Sequence, residues 1–112
     1  MSLFIASLNS GSNGNCYYVG NGTDAVLIDA GISCREITKR MDKLGLSMKS
    51  VKAIFISHEH SDHISGLEVT AKKFGLAVYI TDATLKNSSL NIEPALTRSF
   101  QEYQPVAIGD LS

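Results

Sequence analysis

Two cysteines, Cys16 and Cys34, are the only thiols in this chain, too few and too irregularly spaced for a disulfide framework or a cysteine-based zinc knuckle. They read as reduced, partly buried thiols, which points to the cytoplasm. The chain opens without a basic stretch followed by an apolar core, and no apolar run approaches the ~18 residues of a membrane span. Neither a secretory leader nor a membrane partner is expected. Charge of one sign is lacking as well: ten basic residues stand against eleven acidic ones, a net charge of −1. Composition therefore makes no electrostatic case for binding duplex nucleic acid. Internal repeats, low-complexity tracts and interdomain linkers are also absent.

What is present fits one small domain. With 112 residues and 44% apolar content the chain can bury a core, at a size where roughly two-thirds of the unfolded surface leaves water on folding. Residues 3–8 and 16–19 carry strand-compatible side chains around a loop of Ser, Gly and Asn, the pattern of a hairpin. After the Gly20-Asn21-Gly22 turn, Ala25-Val26-Leu27-Ile28 is apolar throughout, as in a strand covered on both faces of a layered α/β protein. Ser33-Cys34-Arg35-Glu36 reads as a capping box. Ile37, Met41 and Leu44 then form the inner stripe of a helix that Gly45 ends, with Arg35, Lys39, Arg40 and Lys43 facing outward. Residues 51–57 predict a strand. Ile64, Leu67, Ala71 and Phe74 predict a helix stopped by Gly75, with Glu68 and Lys72 placed to pair. Residues 76–80 predict another strand and 81–86 a short capped helix. Signals are weak from residue 87 to 104, where a short helix near 94–100 is one reading, and 106–108 suits a further strand.

Histidine is scarce too, three in all, and all three stand in Ser57-His58-Glu59-His60-Ser61-Asp62-His63, just beyond an apolar strand. Imidazole nitrogen and carboxylate oxygen are the donors that zinc and similar divalent ions take. His58 and His60, two residues apart, reach the same side of an extended backbone. Asp62 shares their parity, while His63 opens towards a second position. The four residues His58, His60, Asp62 and His63 are the predicted metal ligands, half of a one- or two-ion site. Glu59, of opposite parity, faces solvent or a neighbouring loop. A loop pinned between a strand and a helix gives such a site the rigidity it needs.

The stretch resembles the signature of the metallo-β-lactamase superfamily, and Leu27-Ile28-Asp29-Ala30-Gly31 is similar to its other early landmark, a strand ending in Asp-x-Gly. The glycine-rich Ser10-Gly11-Ser12-Asn13-Gly14-Asn15 resembles the opening of the WalJ-like branch, whose members are related to metal-dependent phosphodiesterases and nucleases. From the residues alone this loop is equally an ordinary turn or a set of N–H groups facing an anionic oxygen. The resemblance favours the rim of the site and makes Ser10 to Asn15 a candidate substrate loop. It also implies that Asp29, otherwise a turn residue, braces the histidine loop without touching metal.

The implied fold is α/β, the N-terminal half of an αββα sandwich, with residues 1–112 as a single partial domain. Superfamily members run to about twice this length, and their later ligands come from a second half. The chain is expected to be a fragment of a longer hydrolase, with a natural half that pairs and a degenerate relative as the other readings. Any of them would leave an apolar face, so self-association or pairing with the missing half is expected. The implied activity of the intact protein is zinc-type hydrolysis of a phosphate ester, with nucleic acid as one candidate substrate and Mn2+ or Fe as alternative metals. Asp62 would serve as the catalytic residue that orients water or accepts its proton, and the 112 residues alone would be inactive. Thioesterase and β-lactamase chemistries share the motif, and a β-lactamase would carry an export signal. The rival is a non-catalytic half-domain that binds metal or acts by association.

Overall fold

A computed structural model describes residues 3–11, 14–21, 23–57, 64–80 and 97–98. Among these described residues six strands lie in one mixed sheet in chain order: β1 (Phe4–Asn9), β2 (Cys16–Gly20), β3 (Ala25–Ile28), β4 (Val51–Phe55), β5 (Ala77–Tyr79) and β6 (Thr97–Arg98). The first two neighbour pairs are antiparallel, as hairpins allow, and the last three are parallel. Parallel neighbours require crossovers. Helix α1 (Cys34–Lys43) links β3 to β4 by way of a 3-10 turn at Met48–Ser50, and helix α2 (Leu67–Phe74) links β4 to β5.

Register assigns the faces. Tyr18 pairs with Leu27, Leu27 with Ile54, and Ile54 with Val78, so the four stand in one row across the sheet. They share a buried cluster with Ile37 and Met41 of α1 and Leu67 and Ala71 of α2. Both helices therefore cover the same face, and each fully buried Leu, Ile or Val there contributes about 1.5–3 kcal/mol. The opposite face carries Val26 and Ala53, which are buried, and Ile5, Tyr17, Val19, Ile28, Phe55 and Tyr79, which are exposed or half-buried. The rings of Phe55 and Tyr79 stack on it, centroids 4.6 Å apart.

Local signals account for the helix ends. The Ser33 hydroxyl accepts the Glu36 N–H at 3.2 Å, as the capping pattern requires, and α2 ends on Gly75 at φ +63°. Three details depart from expectation. Leu44 is 52% exposed rather than part of the inner stripe, because it lies just past the last turn of α1 and the buried positions are Cys34, Ile37 and Met41. Arg40 does not face outward. A bulge between Ser7 and Asn9 takes Leu8 out of the β1–β2 ladder, and the Arg40 guanidinium, also 3.4 Å from Glu36, donates to the Leu8 carbonyl at 2.9 Å. Thr97–Arg98, placed by one reading in a short helix near 94–100, is a strand. The expected elements at 81–86 and 106–108 lie outside the described residues.

Candidate metal centre

The parallel strands β3, β4 and β5 run the same way, so their carboxyl ends share one edge, where ligands of open α/β sheets usually bind. Asp29 follows β3 there, and Ser57 and the histidine stretch follow β4. His58, Glu59, His60, Asp62 and His63 lie outside the described residues, as do Ser12 and Asn13 of the glycine-rich loop. Among the described residues no group of three or more His, Cys, Asp or Glu side chains is placed to hold a metal ion. Both ends of the histidine stretch are described, and both are fastened to the turn at residues 29–32.

On the entering side, the buried Asp29 carboxylate accepts the Ser57 backbone N–H at 2.8 Å and the Ser57 hydroxyl at 2.7 Å. Asp29 itself sits at φ +65°, a left-handed conformation that Asp tolerates better than most residues, and its N–H donates to the Phe55 carbonyl at 2.7 Å. On the leaving side, the Gly66 N–H donates to the Ala30 carbonyl at 2.8 Å, and the Ser65 hydroxyl donates to the Gly31 carbonyl. The described residues that precede and follow 58–63 are therefore held by a single turn. The contact at Gly66 is close: a Cβ there would stand 1.8 Å from the Ile32 carbonyl oxygen. Only glycine lets α2 begin at that distance.

The glycine-rich loop meets the same turn. The Gly31 N–H donates to the Asn15 carbonyl at 2.9 Å. Gly14, at φ +129°, approaches so closely that a Cβ would lie 2.5 Å from the Gly31 oxygen. The loop is braced from within, since the Asn15 side chain exchanges two 3.1 Å hydrogen bonds with the Gly11 backbone. From behind, Asn9 donates to the Gly14 carbonyl at 2.6 Å while accepting from Arg40. Of the candidate substrate loop, Ser10 and Gly11 are exposed, Asn15 is half-buried and Gly14 is buried.

Cys16 lies behind this turn, fully buried. Burial first, then the nearby Asp29 carboxylate, pushes its thiol up to about 12, with the Arg40 guanidinium pulling the other way. It is protonated at neutral pH and takes the part of a small apolar side chain rather than a nucleophile or metal ligand.

The sequence reading did not assign roles to Ser57, Ser65, Gly66, Asn9 or Arg40 in supporting the site. A signal existed for Ser57 alone, because it and Asp29 each follow one of two adjacent parallel strands and are thereby brought side by side. Removing this brace should be costly. Asp29→Ala strands the Ser57 donors and forces alanine to a positive φ, so a loss of about 3 kcal/mol is expected. Asp29→Asn keeps an acceptor and tolerates the backbone, so it should lose less. Urea midpoints of the two variants in the full-length protein test the order, and an Asn variant as unstable as the Ala variant would contradict it.

Residues 10–103, most of the chain, match the sequence profile described as the metallo-beta-lactamase superfamily. The chain belongs to this superfamily. Among curated relatives it is 42% identical over 84 residues to a Bacillus anthracis protein named exodeoxyribonuclease YycJ, covering 75% of this chain and 32% of that protein. It is 40% identical over 77 residues to exodeoxyribonuclease WalJ of Streptococcus pneumoniae, covering 69% and 29%. The glycine-rich opening thus pointed to the branch these relatives represent. Solved metallo-beta-lactamases share the fold at lower identity. A B3 enzyme described as having an active-site glutamic acid superposes with a TM-score of 0.79 at 17% identity, over 95% of this chain and 46% of its own. BJP-1 of Bradyrhizobium japonicum gives 0.73 at 21%, over 98% and 49%. The chain spans about a third of the length of those curated relatives and about half of those solved metallo-beta-lactamases.

Proposed function

We propose that the protein carrying this chain is a metal-dependent hydrolase of phosphodiester bonds in nucleic acid, and that these residues supply the first half of its site. The observation that carries the reading is the anchorage of Ser57 and of Ser65 and Gly66, the described residues flanking the histidine stretch, to the turn at residues 29–32, at the carboxyl edge of three parallel strands. A loop tied at both ends holds its side chains to the tolerance that ligation demands. The donor set fits a zinc-type ion: His58 and His60 for a first ion, Asp62 and His63 for a second. Such ions, when bound, acidify water to a pKa near ~7 and offset charge on a departing oxygen. Asp62 orients the water or accepts its proton. Asp29 acts on the ligands through Ser57 rather than directly, and residues 10–15 form the substrate-facing rim.

The apolar face opposite the helices supports a second layer. Ile5 is 72% exposed, and Tyr17, Val19, Ile28, Phe55 and Tyr79 are only half-buried, a surface of the kind that packs against another sheet. We assign that layer to the remainder of a longer polypeptide, which would also complete the ligand set. No helix among the described residues is long and apolar enough to cross a membrane. Substrate class comes from the two exodeoxyribonuclease relatives. The full-length protein loaded with zinc or manganese should cleave end-labelled DNA and lose that activity on chelation. Cleavage of a thioester or β-lactam substrate, with none of DNA or a simple phosphodiester, would refute the assignment.

A further inference from the structure

Helix α1 presents Arg35, Lys39 and Lys43 to solvent, all three exposed. Spaced four apart on a helix that rises 1.5 Å per residue, they follow one another at intervals of about 6 Å along one edge. That interval is close to the separation of successive phosphates on an extended single strand. Beside the row, a groove of about 780 Å³ runs between α1 and α2, and Cys34, Thr38, Asp42, Val69 and Lys73 complete its walls. The groove is therefore edged by four cations against one carboxylate, in a chain whose overall charge is −1.

These cations are not spent on each other's neighbours. Among the described residues the salt bridge on α1 is Arg40 to Glu36, and Arg35, Lys39, Lys43 and Lys73 make none. Lys73 rests its ammonium 5.6 Å from the Phe74 ring centroid. Val69, 61% exposed, gives the groove an apolar patch between the charged edges. Cations along a track with an apolar surface beside them are what a single strand needs, since its phosphates seek charge and its sugars and bases seek contact. The row is also placed to deliver such a strand. Arg35 stands in the first turn of α1, shortly after the turn that holds Ser57, the residue preceding the histidine stretch, and Lys43 stands at the far end.

We propose that Arg35, Lys39 and Lys43, with Lys73 across the groove, carry the phosphodiester backbone of one DNA strand leading to the histidine loop. The inference rests on the nucleic-acid reading above and adds to it a binding track outside the site. It is tested by fluorescence anisotropy with labelled oligo(dT) on the full-length protein, metal chelated so that the strand stays intact. Each phosphate contact on a single strand contributes about 0.7 to the slope of log affinity against log salt. The triple variant Arg35→Gln, Lys39→Gln, Lys43→Gln should therefore have a slope shallower by about 2, so that between ~50 and ~200 mM salt the unmodified protein loses about 20-fold more affinity than the variant. The charge-keeping triple Arg35→Lys, Lys39→Arg, Lys43→Arg should retain the original slope. An unchanged slope in the Gln triple overturns the track. Tighter binding of the unmodified protein to phosphatidylglycerol vesicles than to oligo(dT) also overturns it, in favour of a membrane surface. The hydrolase reading fails separately, by absence of cleavage when metal is supplied, because the slopes are measured without metal or turnover.

Discussion

Replacing His58 and His60 together by alanine in the full-length protein should lower hydrolysis of DNA by about 1000-fold or more and release bound metal. The size of the effect follows from the water. Free water is far too weak an acid to ionise at neutral pH, and the ion that these imidazoles would hold would lower its pKa to about 7. Among the described residues no group of three or more His, Cys, Asp or Glu side chains is placed to hold the ion instead, and Asp29 is committed to Ser57. Elemental analysis after gel filtration should show less than half the metal of the unmodified protein, and a thermal melt in parallel separates lost chemistry from lost fold. Normal turnover by the double variant, with metal retained, would remove the basis of the functional reading.

Gly66→Ala should lose about 3 kcal/mol of stability through a single methyl group. The backbone at Gly66, φ −103° and ψ 4°, is open to any residue, so the cost is not conformational. It arises because the added Cβ would fall 1.8 Å from the Ile32 carbonyl oxygen and 2.8 Å from its carbon, main-chain atoms that cannot rotate away. Relief requires α2 to withdraw from the turn at 29–32, which lengthens the Gly66 to Ala30 hydrogen bond and carries the end of the histidine stretch with it. Overpacking of this kind costs typically 1–3 kcal/mol, and a backbone partner places it at the upper end of that range. Gly45→Ala is the contrast. Gly45 has φ +72° and nothing within 4 Å of an added Cβ, so only the backbone conformation is penalised, by about 1 kcal/mol. Urea denaturation of both variants, with zinc affinity by competition against a chromogenic chelator, reads the two effects. A Gly66 variant as stable as the Gly45 variant, with affinity intact, would show that the turn does not hold the loop.

Much of this architecture was legible in the chain. The unbroken apolar run at residues 25–28 announced a strand covered by other layers, and Ala25, Val26 and Leu27 are buried. Ser33 followed three residues later by Glu36 marked a helix start, and the structure has it there. These signals are local, carried by residues within a few positions of one another. What escaped reading is long-range. Arg40 turns inward because a bulge 32 residues earlier leaves the Leu8 carbonyl in need of a donor. Gly66 is required by a carbonyl at Ile32, and Gly14 by one at Gly31, and no window of sequence holds both partners. The basic residues of α1 were legible as an outward face, but the net charge gave no sign of their concentration there, since acidic residues elsewhere cancel them in the sum.

Among the described residues, every strand of this sheet lies next to the one that precedes it in the chain. A ribosome delivering the polypeptide can therefore build the sheet in order, each new strand docking on a rim already formed, with no earlier segment withdrawn to make room. The turn at 29–32 would be in place before the histidines emerge. The proposed metal loop would thus be laid down on a finished mould.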